Sequence, residues 1–205
     1  MDSYITVKEY GKFEYEDRKS VFIGEAQPVK SENEALAFIE GVRKKFPDAK
    51  HHVFAYVIRE NSIMRFSDDK EPQGTAGMPV LDVIRKNGCT DVAIVVTRYF
   101  GGTLLGTGGL VRAYTSAAAG ALKNANIVVF DVYSELVIEV NYSDYQKISG
   151  VLSESGFRES SVHYSDKVEI EGTIISKNKD EFIDKLTQIT AGRSAVTVID
   201  ERFDC

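Results

Sequence analysis

Residues 91–125 read DVAIVVTRYFGGTLLGTGGLVRAYTSAAAGALKNA, and this stretch decides the fold of the first part of the chain. Its start is mostly apolar and β-branched, which is typical of a strand buried on both faces. Residues 110–125 are rich in alanine at helical spacing, which predicts a long, closely packed helix. Five glycines lie between the two elements. The stretch therefore predicts a buried strand that leads through a glycine loop into a helix.

The composition indicates a soluble, folded protein. The 205 residues are 43% hydrophobic and 27% charged, which is enough for one large or two small domains and excludes disorder as the main state. No run of about 18 apolar residues exists, and the polar start lacks a secretory signal, so we expect a cytoplasmic monomer without membrane contact. The two cysteines, Cys89 and Cys205, cannot form a disulfide framework or a multi-thiolate metal site.

Charge and glycine are both unevenly distributed. The net charge of −6 comes from 25 basic and 31 acidic residues; residues 134–205 hold 8 and 14 of these, leaving 17 of each in the first 133. Repulsion of a polyanion would therefore come from the last third of the chain alone. Eight of the 16 glycines fall within residues 74–109, a clustering typical of tight turns or of a loop around a ligand.

The pattern of apolar residues predicts an α+β protein with two domains, residues 1–133 and residues 134–205. In the first, Ser31 and Glu34 form the capping box of a helix that Pro47 ends. The elements predicted there are strands over 19–29, 51–60, 62–66, 91–100 and 127–134, and helices over 31–46, 78–86 and 110–125.

The second domain is predicted to have the β-α-β-β-α-β order of a ferredoxin-like fold. Ser143 and Asn178 stand where helix N-caps are expected, and Gly156 and Gly192 where the helices should end. The elements predicted there are strands over 135–142, 159–165, 167–176 and 194–201, and helices over 143–156 and 178–192.

An acidic segment, SDDKEPQGTAGMP at residues 67–79, precedes the predicted second helix. Its carboxylates, Asp68, Asp69 and Glu71, could hold a divalent cation or act as general base and acid. They could equally be turn and capping residues. Gly74 and Thr75, at the helix entrance, could offer backbone N–H groups to an anion.

The glycine loop is a second candidate site, because unpaired N–H groups at a helix N-terminus suit phosphate. Arg98 and Arg112 could both contact the same phosphate. The spacing matches neither a P-loop nor a dinucleotide fingerprint. The alternative is that the glycines serve packing and that each arginine pairs with an acidic residue such as Asp68 or Asp69.

The histidines and Cys89 give weaker signals. His51 and His52 are neighbours on a predicted strand, so their side chains face opposite ways. Without a cysteine or a third suitably spaced histidine, a zinc site is not expected. Cys89 has no basic neighbour beyond Lys86, which does not favour a nucleophile. We predict no catalytic residue, no metal ligand and no cofactor.

Five segments together resemble the YigZ/IMPACT family: KSVFIG, AKHHVFAY, SDDKEPQGTAGMPVLDVI, VVTRYFGG and LGTGGLVRAY. The resemblance implies a first domain similar to the second domain of a small-subunit ribosomal protein. It also implies a C-terminal ferredoxin-like domain similar to the fifth domain of elongation factor G. The kinship of the first domain with that ribosomal protein implies contact with the ribosome, a nucleic acid or a phosphate. Eukaryotic members of the family are translation regulators that restrain an amino-acid-starvation kinase.

The resemblance also implies which residues form a binding site. One family motif matches Asp68, Asp69, Glu71, Gly74, Thr75, Gly77 and Pro79, and the other matches Arg98, Tyr99, Gly101, Gly102, Gly106, Gly108, Gly109, Arg112 and Tyr114. Two positions depart from the family: Lys70 replaces the usual glycine, and Leu104 replaces a frequent lysine. Loss of that lysine removes a cation from the glycine loop.

Two functional hypotheses follow. In the first, the chain is a translation-associated or stress-regulatory binding protein whose glycine and arginine surface contacts RNA, the ribosome, a translation-regulator protein or a small phosphorylated ligand. In the second, it is a magnesium-dependent enzyme that acts on a small phosphorylated molecule, with the acidic segment holding Mg²⁺.

Overall fold

The computed structural model describes residues 3–204, so Cys205 lies outside the described residues. The fold is a mixed α+β structure with two sheets and five α-helices, which confirms the predicted fold class. The strands are β1 (Tyr4–Val7), β2 (Gly11–Asp17), β3 (Ser20–Pro28), β4 (His51–Ile58), β5 (Ile63–Ser67), β6 (Val92–Tyr99), β7 (Ile127–Val140), β8 (Arg158–Tyr164), β9 (Val168–Ile175) and β10 (Ala195–Asp204). The helices are α1 (Glu32–Lys45), α2 (Gly77–Lys86), α3 (Gly106–Asn124), α4 (Tyr142–Glu154) and α5 (Lys179–Ile189).

The chain divides into two compact units, and the division along the sequence falls inside β7, between Val129 and Phe130. The sequence predicts two separate strands here, but β7 is one continuous strand of 14 residues. The change of pattern at Ser134 corresponds to burial, because fully buried and half-buried residues alternate along β7 from there on. The domain limits 1–133 and 134–205 stay a prediction.

The first unit is built on a five-stranded antiparallel sheet in the order β2-β3-β6-β4-β5. Helices α2 and α3 bury one face of this sheet, and α1 covers the other. Six of the eight residues of β6 are fully buried apolar or threonine positions, as a central strand between two layers requires. Ser31 caps α1 by accepting from the Glu34 N–H at 3.2 Å, which confirms that N-cap.

Helix α3 lies unusually close to the sheet. A Cβ on Gly24 would be 2.3 Å from the Ala117 carbonyl oxygen, and one on Gly11 would be 2.2 Å from the Ala125 nitrogen. The alanines that face the sheet, Ala113, Ala117 and Ala121, are completely buried. Glycine opposite alanine therefore sets the distance between strand and helix.

The second unit contains an antiparallel sheet in the order β10-β7-β9-β8. Helices α4 and α5 bury one face of it around Leu136, Ile138, Phe182 and Leu186. The observed element order is the predicted β-α-β-β-α-β. Asn178 is the N-cap of α5 as predicted, but α4 begins at Tyr142 with Asn141 as its N-cap, so the prediction for Ser143 is wrong.

Strands β1 and β2 were not predicted from the sequence. Two residues of β1 and one residue of β2 are buried, so the apolar alternation along these strands is weak. No helix within residues 3–204 combines the length and apolar character needed to cross a bilayer.

We expect Gly24→Ala to lower the free energy of unfolding by about 1–3 kcal/mol, because the added methyl group forces β3 and α3 apart. The matched control is Gly150→Ala in α4, where an added Cβ meets no atom within 4 Å. That control should raise the free energy of unfolding by about 0.5–1 kcal/mol, because alanine is more favourable than glycine within a helix. Urea denaturation followed by circular dichroism measures both, and equal effects would contradict the close approach.

A buried carboxylate anchors the second unit. Asp144 is fully buried in the first turn of α4 and accepts two hydrogen bonds from Arg193, each 2.9 Å long, and one from Lys147 at 2.8 Å. The Arg193 hydrogen bonds, followed by the one from Lys147, hold the pKa of Asp144 well below its usual range. The carboxylate therefore stabilises the fold only while it is ionised.

We expect the stability that depends on Asp144 to be complete above the ordinary aspartate pKa of about 4 and to be lost as the pH falls further. Asp144→Asn should lower the free energy of unfolding at pH 7 and flatten its decline in acid. Urea titrations of both proteins across the acidic range provide the measurement. Parallel pH profiles for the two proteins would show that Asp144 does not carry this dependence.

Candidate functional site

A buried ion pair joins the two motifs found in the sequence. Arg98, near the end of β6, donates from Nη1 to Glu71 Oε1 at 2.5 Å. Tyr114, in α3, donates its hydroxyl hydrogen to the same oxygen at 2.7 Å. The Arg98 residue is 6% exposed and Glu71 is 9% exposed. The acidic segment and the glycine-loop region are therefore linked in the interior of the first unit.

The strand register explains why these groups meet. Arg98 lies opposite Phe22 of β3 and His51 of β4, so the three side chains share the sheet face that α3 covers. The Arg98 guanidinium lies 5.4 Å from the centre of the Phe22 ring and 5.6 Å from that of Phe100. This arrangement is the alternative that the sequence left open, in which an arginine pairs with an acidic residue.

The hydroxyl of Tyr114 remains a hydrogen-bond donor under all ordinary conditions. Burial, and then the charge and hydrogen bond of Glu71, raise the pKa of Tyr114 far above its usual value. The ring also packs edge-on against Phe22, with 5.1 Å between centroids. Tyr114 and Arg98 therefore hold the Glu71 carboxyl group in place rather than act as acids or bases themselves.

The other carboxylates of the acidic segment bind backbone groups. Asp68 accepts hydrogen bonds from the N–H groups of Gly74, Ala76 and Gly77 at 2.8–3.1 Å, and so caps the entrance of α2. Asp69 accepts from the His52 N–H at 2.6 Å. These are the turn and capping roles that the sequence allowed as the alternative to metal binding or acid–base chemistry.

The backbone at the start of α2 is likewise engaged. The Gly74 N–H bonds to Asp68, and the Thr75 N–H and hydroxyl both donate to the Pro72 carbonyl, at 3.1 and 2.7 Å. The donors that were expected to bind an anion here already have partners. Across residues 3–204, no three histidine, cysteine, aspartate or glutamate side chains gather into a group that could hold a metal ion.

His51 and His52 face opposite sides of β4, as expected. His51 Nδ1 lies 2.8 Å from the Asp69 carbonyl oxygen, and Nε2 lies 4.0 Å from Glu71 Oε1. His52 Nε2 lies 3.1 Å from the Phe46 carbonyl oxygen. Cys89 is buried, and burial raises its pKa to about 11, so the thiol is a poor nucleophile.

The glycine loop, residues 101–105, lies against the turn between β2 and β3. A Cβ on Gly101 would be 2.0 Å from the Lys19 carbonyl carbon, so only glycine fits there. The Gly101 N–H donates to Ser20 Oγ at 3.1 Å. Arg18 donates to the Leu104 carbonyl at 3.4 Å. The turn and the loop therefore form one continuous surface.

Three exposed cations lie on the β2–β3 turn and in α3, and the backbone contact of Lys19 with Gly101 joins that turn to the loop before the helix. Arg18 and Lys19 are exposed in the turn, and Arg112 is exposed one helical turn after Gly108. A Cβ on Gly108 would be 3.7 Å from Arg112 Nη1, so the guanidinium lies beside the first turn. We call Arg18, Lys19, Arg112 and residues 102–108 the loop surface.

The electrostatics of the loop surface favour an anion. The first turn of α3 contains no acidic residue, and its N-cap, Leu105, provides no side-chain hydrogen bond. Within the described part of the chain, no carboxylate forms an ion pair with Arg18, Lys19 or Arg112. The positive end of the helix dipole therefore adds to the charge of the exposed cations on the adjoining turn and in α3.

The predicted site residues thus fall into separate groups. Gly102, Gly106, Gly108 and Arg112 lie on the loop surface, Gly101 lies beneath it against Lys19, and Gly109 is buried. Tyr99 is on the opposite sheet face from Arg98 and donates to Asp48 at 2.9 Å. Sequence reasoning missed Arg18 and Lys19, whose signal is the short polar turn between two alternating segments.

The two-unit α+β fold and the buried cluster of Glu71, Arg98 and Tyr114 define the class of protein to which this chain belongs. A profile of the Impact N-terminal domain matches residues 18–122, and one described as Domain of unknown function (DUF1949) matches residues 138–193. The IMPACT family member YvyE of Bacillus subtilis is 40% identical over 96% of this chain and 91% of its own length.

Two further comparisons agree. The IMPACT family member YigZ of Escherichia coli is 33% identical over 91% of this chain and 93% of its own length. A solved structure titled as a hypothetical protein is 31% identical, with a TM-score of 0.61 over 98% of this chain and all of that one. The chain belongs to the IMPACT family, as its sequence motifs indicated.

We expect Glu71→Ala to lower the free energy of unfolding by about 3–5 kcal/mol, because it leaves the buried Arg98 charge without a partner. Combining Glu71→Leu with Arg98→Met removes both charges and should lower the free energy of unfolding by much less. Urea denaturation of the two proteins provides the test. A double variant that is no more stable than Glu71→Ala would show that the pair is not the dominant interaction.

Proposed function

We propose that this protein binds RNA through the loop surface and acts in the cytoplasm in association with translation. The observation that carries the proposal is the set of three cations, Arg18, Lys19 and Arg112, around the exposed start of α3. No described carboxylate pairs with any of them. Phosphate neutralises such a group and accepts hydrogen bonds from the free N–H groups of the first turn.

The apolar residues next to these cations favour single-stranded RNA. Phe100 is 51% exposed and Leu104 is 81% exposed, both on the segment that leads into α3. An exposed aromatic ring beside a cationic backbone track is the arrangement on which unpaired bases stack. A small phosphorylated ligand needs no such platform, so RNA is the better candidate.

The charge distribution is compatible with this role. The first 133 residues are balanced in charge, and the acidic excess lies in residues 134–205. The resemblance to translation regulators and to a ribosomal-protein domain supports a function near the ribosome, where RNA is the main polyanion. A protein regulator of translation is the other partner that this resemblance supports.

The magnesium-dependent enzyme is the weaker candidate. Asp68 and Asp69 are occupied by backbone N–H groups, and Glu71 is occupied by Arg98 and Tyr114. A catalytic metal site needs carboxylate oxygens that are free to coordinate. The proposal therefore concerns binding and assigns no catalytic residue.

We expect the triple variant Arg18→Ala, Lys19→Ala, Arg112→Ala to bind a fluorescein-labelled single-stranded RNA at least tenfold more weakly at low salt. The slope of log affinity against log salt concentration should fall by about 2, since each lost phosphate contact removes about 0.7. Fluorescence anisotropy at several salt concentrations measures both. The thermal stability should not change, because all three side chains are exposed.

The control removes the same charge elsewhere in the first unit. Lys30, Lys86 and Lys123 are exposed; Lys30 follows the end of β3 opposite the β2–β3 turn, and Lys123 lies in the last turn of α3. Their replacement by alanine should leave affinity and salt slope close to wild type. Phe100→Ala should weaken binding without altering the slope. Equal RNA binding by the two triple variants would refute the proposed surface, and binding of purified ribosomes by RNA-deficient variants would favour a protein partner.

A further inference from the structure

A second candidate site lies on the other face of the first sheet, beside α1. A groove of about 570 Å³ lies here, and its lining includes Glu25, Glu34, Phe38, Gly41, Val42 and Lys45. That volume is within the range of small-molecule sites. The groove is separate from the loop surface, because Glu25 faces α1 whereas Phe22 and Arg98 face α3.

The unusual feature of the groove is a buried carboxylate in the middle of a strand. Glu25 is 1% exposed, although it lies in β3 between apolar neighbours. Lys45 Nζ donates to Glu25 Oε1 at 2.5 Å, and the Tyr10 hydroxyl donates to the same oxygen. The other oxygen, Oε2, is buried and has no hydrogen-bond partner among residues 3–204.

An unsatisfied carboxylate oxygen is costly to bury, so its presence calls for an explanation. Both existing partners are partly exposed, which leaves their side chains room to move: the Lys45 side chain is 49% exposed and Tyr10 is 44% exposed. They share a single oxygen and leave the other available to a third donor. A donor that entered along the groove could therefore reach the carboxylate after a small movement of these side chains.

The glycine in α1 keeps the groove open. Gly41 lies in the middle of the helix, where glycine is unfavourable by about 1 kcal/mol relative to alanine. A Cβ at this position would meet no atom within 4 Å, so packing does not require glycine. The absence of a side chain leaves room next to Phe38 and Val42, two apolar residues of the lining.

We propose that this groove binds a small organic cation, a primary amine with an apolar portion, whose ammonium group donates to Glu25. The lining supplies the matching chemistry: two carboxylates, Glu25 and Glu34, against one ammonium, Lys45, with apolar surface from Ala37, Phe38 and Val42. An ammonium group offers three donors, and a carboxylate in a partly desolvated groove is their strongest acceptor.

The test is isothermal titration calorimetry of the full chain at physiological salt with two probes, phenethylamine and 1,4-diaminobutane. We expect saturable binding of at least one amine and no binding of 2-phenylethanol, which has the same ring without the charge. Glu25→Gln and Gly41→Leu should each weaken the amine at least tenfold, the first by removing the charge and the second by filling the groove.

Gly150→Leu is the matched control, because Gly150 also lies in the middle of a helix with open space around it. It should leave amine binding unchanged. Gly41→Leu keeps the proposal testable if Glu25→Gln folds poorly, since it leaves the carboxylate and its partners in place. The proposal is overturned if neither amine binds at about 10 mM, if the alcohol binds equally, or if Gly41→Leu binds like Gly150→Leu.

Discussion

One carboxylate oxygen, Glu71 Oε1, accepts hydrogen bonds from a strand residue 27 positions further along the chain and from a helix residue 43 positions further along. Arg98 reaches it from β6, and Tyr114 reaches it from α3. The three groups are almost completely removed from water, so each needs the other two. The path of the acidic segment, the end of β6 and the orientation of α3 all depend on this contact.

The loop surface begins directly after that buried group. After Arg98, whose side chain is buried, the chain reaches the exposed Phe100 and crosses the β2–β3 turn at Gly101. This crossing places Lys19 and Arg18 next to the start of α3. The residue that looked most suited to bind a phosphate in the sequence is thus a support for the surface, while less conspicuous cations form the surface itself.

Sequence periodicity predicted most elements, because burial in this fold follows regular patterns. The six alternating elements of the second unit and the buried strand β6 are of this kind. The pattern failed where burial is one-sided or partial, as in β1 and β2, and where one strand changes its surroundings midway, as in β7. Whether a segment forms a helix or a strand is largely decided by its own residues, whereas the residue against which a side chain packs is decided by the tertiary fold.

The candidate site was harder to predict than the fold for the same physical reason. Paired carboxylates beside a helix are equally suited to metal binding and to capping, and only three-dimensional proximity separates the two. Asp68 meets three N–H groups, which no spacing rule reveals. Arg98 and Glu71 are 27 residues apart, and their pairing depends on the register of three strands. Glu25 carries no sequence signal beyond a charge within an apolar strand.

The shared oxygen of Glu71 has a consequence for how this sequence can evolve. A change at Arg98 or Glu71 leaves an unpaired charge in the interior, and a change at Glu71 also leaves the Tyr114 hydroxyl without its acceptor. Viable substitutions must therefore arise together or in a background that is stable enough to tolerate them. Genetic drift at these positions is therefore slow even without selection for a ligand. Invariance of Glu71, Arg98 and Tyr114 among relatives would reflect the loss of stability that single substitutions cause there. Variation at Arg18, Lys19 and Arg112 would instead reflect changes in the binding partner.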